Sequence, residues 1–334
     1  MWLKVMIKEL DGIPLQNVTQ PANVDPNADP LAIAAVMMPQ VQALLPALAS
    51  EALRLKQGTI GALIVRNGFL PSTLLPETPQ QFVPSPDPAW FNGLSTTIGV
   101  LSVLGADAAS YCSENGGALF HHLSKHPGSG RDAAKSAGAL RGHTDGIFHA
   151  LPGESRGLSA SPDLVVLIGY RNPDQVATKV FPLHLLLSPP HLTYSEVGLL
   201  KSPVFDIEPQ ETWTLPPGTI ATGMPVLIDD PLRGWCIRYS NGKISADDQG
   251  FPRESAVLKK ITSILTNPPK GVLHQVVVNP GDVLIINNRT TLHGRDKPSP
   301  GPPGGKSRWL VRTYGVYHDT VPLLRGPEAF QLLP

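Results

Sequence analysis

The chain has 334 residues, 27 Lys plus Arg against 27 Asp plus Glu, a formal net charge of zero and a hydrophobic share of 41%. That balance argues against nucleic acid as a partner, because phosphate binding needs a marked basic excess, and the apolar share supplies material for a core. Two cysteines, Cys112 and Cys236, are too few for a disulfide-stapled secreted domain and point to a reducing, cytoplasmic setting.

In residues 1–12, MWLKVMIKELDG, the charges at Lys4, Lys8 and Glu9 interrupt every apolar run. This reads as no signal peptide, and nowhere does an uncharged apolar stretch reach the roughly 18 residues of a membrane span. Residues 31–56 carry apolar side chains at a spacing near 3.6, through Leu31, Ala34, Val41, Leu45 and Leu48, and predict a helix that Pro39 and Pro46 kink or split. Gly58 stops it, and 59–65 reads as a buried strand. A Pro-rich connection over 71–88 leads into a mixed region ending near Lys125.

Beyond that point the pattern is β-like, with strands expected at 164–170, 183–187, 225–229, 275–278, 282–287 and 308–317. The 36 prolines and 31 glycines fit short strands joined by turns. With no long helices between these strands, a doubly wound parallel sheet is excluded, and the expectation is a mainly β fold with flanking helices around a double-stranded β-helix, or jelly roll, core. The segment 297–306, KPSPGPPGGK, predicts an irregular surface excursion or part of a lid.

Three elements carry chemistry. In Gly142-His143-Thr144-Asp145-Gly146 an extended backbone points His143 and Asp145 to one side, as neighbouring ligands of one metal require. The apolar strand from Asp282 delivers His293 just past its end, and two His with one carboxylate form a facial triad that leaves three positions on Fe(II) open. A structural site would instead be closed by four protein ligands. In Arg308-Trp-Leu-Val-Arg312 residues 308, 310 and 312 share one strand face, so two guanidiniums project together and suit two carboxylates, one of a cosubstrate and one of a substrate. His121 and His122, being adjacent, face apart and read as structural.

Over residues 100–317 the order His-x-Asp, long insert, distal His, Arg resembles the clavaminate synthase-like branch of the Fe(II)/2-oxoglutarate-dependent dioxygenases, to which taurine dioxygenase is a more distant relative. The resemblance implies iron ligands at His143, Asp145 and His293, and 2-oxoglutarate and O₂ as cosubstrates. Arg308 matches the arginine that grips the remote carboxylate of 2-oxoglutarate, and Thr178, in Val176-Ala-Thr178, the threonine beside it. By the same resemblance Glu114, Asp230 (with Asp229 as its competitor) and Arg312 match substrate-binding positions. Glu114 and Arg312 together resemble a clamp for the zwitterion of a free amino acid. The carboxylate at Asp145 disfavours halogenation, for which the wider superfamily uses a small residue there. Hydroxylation is the commonest outcome in this branch, with desaturation and ring closure open to the same centre. The expected organisation is a single dioxygenase domain over 1–334, with a helical and mixed part to 100, the jelly-roll core over 100–317 and a tail over 318–334. The competing readings are a metal-dependent hydrolase or isomerase and a non-catalytic jelly-roll binding protein.

Overall fold

Alternation within the strands builds two sheets, packed face to face around the cavity described below. The computed structural model describes residues 7–21, 24–82, 87–128, 136–154 and 157–333. Residues 1–6, half of the segment expected to be no signal peptide, lie outside these, as do 83–86 of the Pro-rich connection.

The larger sheet has eight strands among the described residues, in the order Ile7–Asp11, Ala62–Arg66, Val283–Asn287, Leu164–Arg171, Trp309–Tyr317, Ala106–Tyr111 and Gln331–Leu332, with His121–Ser124 also paired to Trp309–Tyr317. The smaller sheet runs His274–Val277, Ala177–Pro182, Thr291–Arg295 and Leu140–His143, all antiparallel. Successive side chains of a strand face opposite ways, and the core divides accordingly. Ile64, Val165, Leu167, Leu284, Ile286 and Leu310 of the larger sheet meet Val180 and Val276 of the smaller one between the two layers. Their neighbours Leu63, Val65, Val166, Ile168, Val283, Ile285, Trp309 and Val311 form the outer face, covered by three helices, Pro30–Leu44, Pro46–Lys56 and Phe91–Val103. Phe181 and Leu292 of the smaller sheet pack outward against Pro252–Thr266. Burying both faces of a sheet in this way removes on the order of 25 cal/mol of apolar exposure cost per Å². The mainly β, double-stranded β-helix architecture with external helices is the one expected.

Three local expectations need correction. Residues 183–187 are not a strand: Leu183–Leu186 is a helical turn that starts directly after Pro182 and buries Leu183, Leu186 and Leu187. A short run apolar on all sides carries no period, so length alone cannot separate strand from buried helix. Long helices do occur beside the strands. Pro252–Thr266 places Val257, Ile261 and Leu265 on one buried face, and Phe91–Val103 is buried almost throughout because it lies between the first helix and the sheet. Finally, the 31–56 helix breaks at Pro46 rather than at Pro39, bending by 104° between Pro30–Leu44 and Pro46–Lys56. No single helix among the described residues is long and apolar enough to cross a membrane.

Candidate metal centre and its cavity

The inner faces of the two sheets deliver the chemistry. Gly142 faces outward, where a Cβ would lie 2.9 Å from Leu265, so His143 beside it faces inward. Leu292 is in the outer layer, so His293 is inward too, and the antiparallel register sets His143 directly opposite His293. Their ring centroids are 4.5 Å apart. Asp145 Oδ1 lies 3.5 Å from His143 Nε2, and Oδ2 3.7 Å from His293 Nε2.

Each ligand is held from behind. His143 donates its Nδ1–H to the carbonyl of Arg141 (2.9 Å), which leaves Nε2 as the lone-pair nitrogen facing Asp145. The Asp145 amide donates to Asn288 Oδ1 and its carbonyl accepts from Asn288 Nδ2, both at 2.9 Å; the same Nδ2 also reaches the Pro162 carbonyl. Gln210 brackets the neighbouring peptides, donating to the Thr144 carbonyl (3.0 Å) and accepting from the Gly146 amide (2.9 Å). At Gly146 the backbone takes φ +66°, which suits glycine at the turn leaving the strand.

The electrostatics favour a cation among these three. Burial opposes ionisation of Asp145, but Arg312, His143 and His293 outweigh it and hold the carboxyl far below its usual range. Burial, reinforced by His143 against the opposing pull of Asp145, lowers His293 to about 3, so its imidazole is neutral and free to bind metal. The three ligand atoms lie within 4.8 Å of one another. Ligands at right angles on bonds of ~2.1 Å stand roughly 3 Å apart, so small side-chain movements close the triad on an ion. Among the described residues no fourth ligand completes it, and an open facial site rather than a structural one results.

The triad lies in the wall of a cavity of about 710 Å³ whose lining includes Thr178, His293, Arg295, Arg308 and Arg312. Arg308 immediately precedes the strand Trp309–Tyr317, and it is buried at 7% exposure. Among the described residues no carboxylate meets its guanidinium. Its one hydrogen bond is from Nη1 to the Leu123 carbonyl at 3.4 Å, and its buried Nε has no partner among the described residues. Burial first, and then the neighbouring Arg295, depress it to about 9. Thr178, expected beside it, is inward-facing, buried and paired in register with Arg295. Arg295 itself donates to the Gly138 carbonyl (2.8 Å).

Arg312 also faces the cavity, but it is already engaged. Nη1 reaches Asp145 Oδ2 at 3.1 Å, while Nη2 reaches Glu114 Oε1 at 2.6 Å and His121 Nδ1 at 2.9 Å. Burial opposes the charge, yet Glu114, with Tyr314 and Asp145, raises the pKa above its ordinary value. Its Nε–H is buried without a partner among the described residues.

The remaining expectations divide. Glu114 does not line the cavity; it is buried at 1% exposure behind Arg312, accepts from Thr212 Oγ1 (3.0 Å) and serves as the guanidinium's counterion. Asp230 is also outside the cavity lining. Its Oδ1 accepts from the amides of Leu232 and Arg233, and Oδ2 pairs with the Arg233 guanidinium at 3.3 Å, because the turn after the strand Leu227–Asp230 folds its side chain back on itself. Asp229 is exposed and paired with Lys201. His121, expected to be structural, lines the cavity and is the cross-strand partner of Arg312. Burial lowers it to about 4, so it is a neutral acceptor for that arginine. Asn288, Gln210 and Arg295 were absent from the expected set. A buried amide pair, Asn287-Asn288, ending a wholly apolar strand was their clearest signal, since such groups are desolvated at a cost unless hydrogen-bonded. The segment 297–306 has no helix or strand, as expected. It is tied down by Thr78, whose amide donates to Gly305 and hydroxyl to Ser307, and by Lys125 on the Gly301 carbonyl, and it lines a second cavity that shares Arg295 and Arg308.

Comparison with known proteins agrees with this geometry. Residues 202–314 match the family described as taurine catabolism dioxygenase TauD, TfdA family, a span holding His293, Arg308 and Arg312. No curated protein matches the chain. Among solved structures, an asparagine oxygenase in complex with Fe(II), 2S,3S-3-hydroxyasparagine and succinate superposes with a TM-score of 0.77 at 21% identity, covering 98% of this chain and 99% of that one. The non-haem iron oxygenase OrfP in complex with Fe and alpha-ketoglutaric acid gives 0.74 at 20% identity, covering 98% and 99%. OrfP with Fe, succinate and (3S)-hydroxy-L-Arg gives 0.70 at 20% identity, covering 92% and 93%. The chain therefore has the double-stranded β-helix fold of these iron oxygenases, and its 202–314 segment matches the TauD, TfdA family model.

Proposed function

We propose that the protein is an Fe(II)- and 2-oxoglutarate-dependent oxygenase that oxidises a C–H bond, by hydroxylation in the first instance, of a small free amino acid. The observation that carries this reading is Arg308: a buried guanidinium with no anion among the described residues, in the wall of the cavity that also holds an open triad. An unpaired buried charge is strongly unfavourable, and a carboxylate arriving from solution relieves it. A hydrolase or isomerase built on the same triad has no use for that arginine, and an iron-free binding protein has no use for an intact triad.

His143, Asp145 and His293 would hold the metal, with Arg308 and Thr178 gripping the remote carboxylate of the cosubstrate. When bound, iron and 2-oxoglutarate supply O₂ activation for C–H oxidation. The protein's own residues do the positioning. Asn288 and Gln210 fix the backbone around Asp145, and Arg312 keeps the carboxylate ionised and turned toward the histidines. Arg312 lines the cavity and would meet a substrate carboxylate there. The structures of asparagine oxygenase and OrfP, with amino-acid ligands in this fold, support the substrate class.

Iron-loaded protein given 2-oxoglutarate, O₂ and a mixture of amino acids is expected to form succinate, and Arg308→Met to lose that activity. Folded, iron-loaded wild type that forms no succinate with any amino acid would contradict the reading.

A further inference from the structure

The acids around the cavity are already committed, and this bears on what the substrate's side chain can be. Glu114 is spent on Arg312 and Thr212, Asp230 on Arg233 and its own turn, and Asp229 on Lys201 outside the cavity. Apart from the metal ligand Asp145, the only carboxylate lining the cavity among the described residues is Glu211. It sits at the rim, 3.9 Å from Lys243 Nζ, and Lys243 lies closer to Glu208, at 3.5 Å. Lys243 and Arg141 line the same cavity, and among the described residues no ion pair forms on Arg141.

A free amino acid brings one ammonium of its own, and Glu211 is the one acid at the rim of the described lining that such a cation would meet. A second cation on the side chain would find no further acid among the described residues, and Lys243 and Arg141 line the same cavity. Desolvating a charge without a partner is costly. An oxygen acceptor finds donors instead, in those two cations and in Ser240 and Asn241 beside them.

We propose that the substrate is an amino acid whose side chain ends in an oxygen acceptor, a carboxamide or a carboxylate, and carries no positive charge. The inference rests on the amino-acid oxygenase reading above. The test is optical. Anaerobic protein with Fe(II) and 2-oxoglutarate is titrated with L-Asn, L-Gln, L-Asp and L-Glu, and separately with L-Lys, L-Orn and L-Arg, following the visible band of the chelate. At least one oxygen-ended amino acid is expected to shift the band with half-saturation about tenfold or more below every cationic one, the scale of one unpaired charge at a partly open site. Lys243→Gln separates the two sources: it weakens a carboxylate-ended ligand more than a carboxamide-ended one. A cationic amino acid that binds as tightly or more tightly overturns the proposal, as does a band that none of these amino acids moves. No band at all in folded, iron-loaded protein fails the oxygenase reading itself, and the inference with it; that outcome is visible before any amino acid is added.

Discussion

Arg308 and Arg312 belong to one stretch of chain, four residues apart, and both reach the same cavity, yet their surroundings are opposite. Arg312 has a carboxylate on each side, Glu114 at 2.6 Å and Asp145 at 3.1 Å, and its charge is held above the usual strength. Among the described residues Arg308 has only a distant carbonyl, with a second arginine beside it, and burial first and that arginine second lower its pKa to about 9. The first is the internal counterion that orients a metal ligand. In the proposed reading the second is the receptor for an anion that comes from outside. Residue type and spacing are the same for both; what distinguishes them is which acids the cross-strand neighbours supply.

Removing a triad ligand gives the largest effect, since it destroys the feature that both arginines serve. His143→Ala and His293→Ala should each lower iron affinity by more than the roughly 100-fold seen on loss of outer-shell partners, as read by anaerobic metal titration. Iron binding unchanged in either variant would detach the arginines from any metal centre.

The contrast itself predicts opposite stability changes. Arg308→Met removes an unpaired buried charge, so the ligand-free protein should become more stable by about 1–4 kcal/mol while 2-oxoglutarate binding weakens by about 2–5 kcal/mol. Thermal melts with and without 2-oxoglutarate read both: the cosubstrate should raise Tm in wild type only. The pH sign follows. Because the folded pKa lies below the unfolded one, the folded state surrenders this proton first, and the penalty is complete below about 9 and relieved as the pH rises above it. The stability gap between Arg308→Met and wild type should therefore narrow at alkaline pH.

Glu114→Gln does the reverse, stripping a buried guanidinium of its counterion. It should destabilise by about 3 kcal/mol, measured by denaturant unfolding. A variant as stable as wild type would show that the Glu114–Arg312 pair holds nothing in place.

The smallest effect is expected outside the cavity. Asp230→Asn, which loses one buried ion pair of a turn while Arg233 keeps Asp163 at 3.5 Å, should cost about 1–2 kcal/mol and leave unchanged the half-saturation of whichever amino acid shifts the chelate band. A tenfold change there would return Asp230 to the substrate site.

Much of this was legible in the chain. The outer and inner faces of the larger sheet follow from alternation in 164–170, 282–287 and 308–317, and the triad from His-x-Asp plus a later histidine. His293, however, lies within its own strand of the smaller sheet, Thr291–Arg295, and not at the end of the core strand Val283–Asn287. The helix Pro252–Thr266 was legible as well, in the 3.6 spacing of Val257, Ile261 and Leu265, but a mostly β context hid it. What local sequence does not carry is commitment. Glu114 and Asp230 are acids near the right places, and only the tertiary packing that puts Arg312 beside one and Arg233 beside the other decides that neither carboxylate lines the cavity. Asn288 is of the same kind: its bonds to Asp145 span 143 positions of sequence.

The central claim, an open iron triad with an arginine waiting for the cosubstrate, is tested most directly by anaerobic titration of Fe(II) and 2-oxoglutarate into wild type, His143→Ala and Arg308→Met, following the visible charge-transfer band of the chelate. The account predicts a band in wild type, its loss in His143→Ala, and in Arg308→Met a band that appears only at far higher 2-oxoglutarate. A wild-type protein that is folded and binds iron yet shows no band, or an Arg308→Met variant that titrates like wild type, would contradict it.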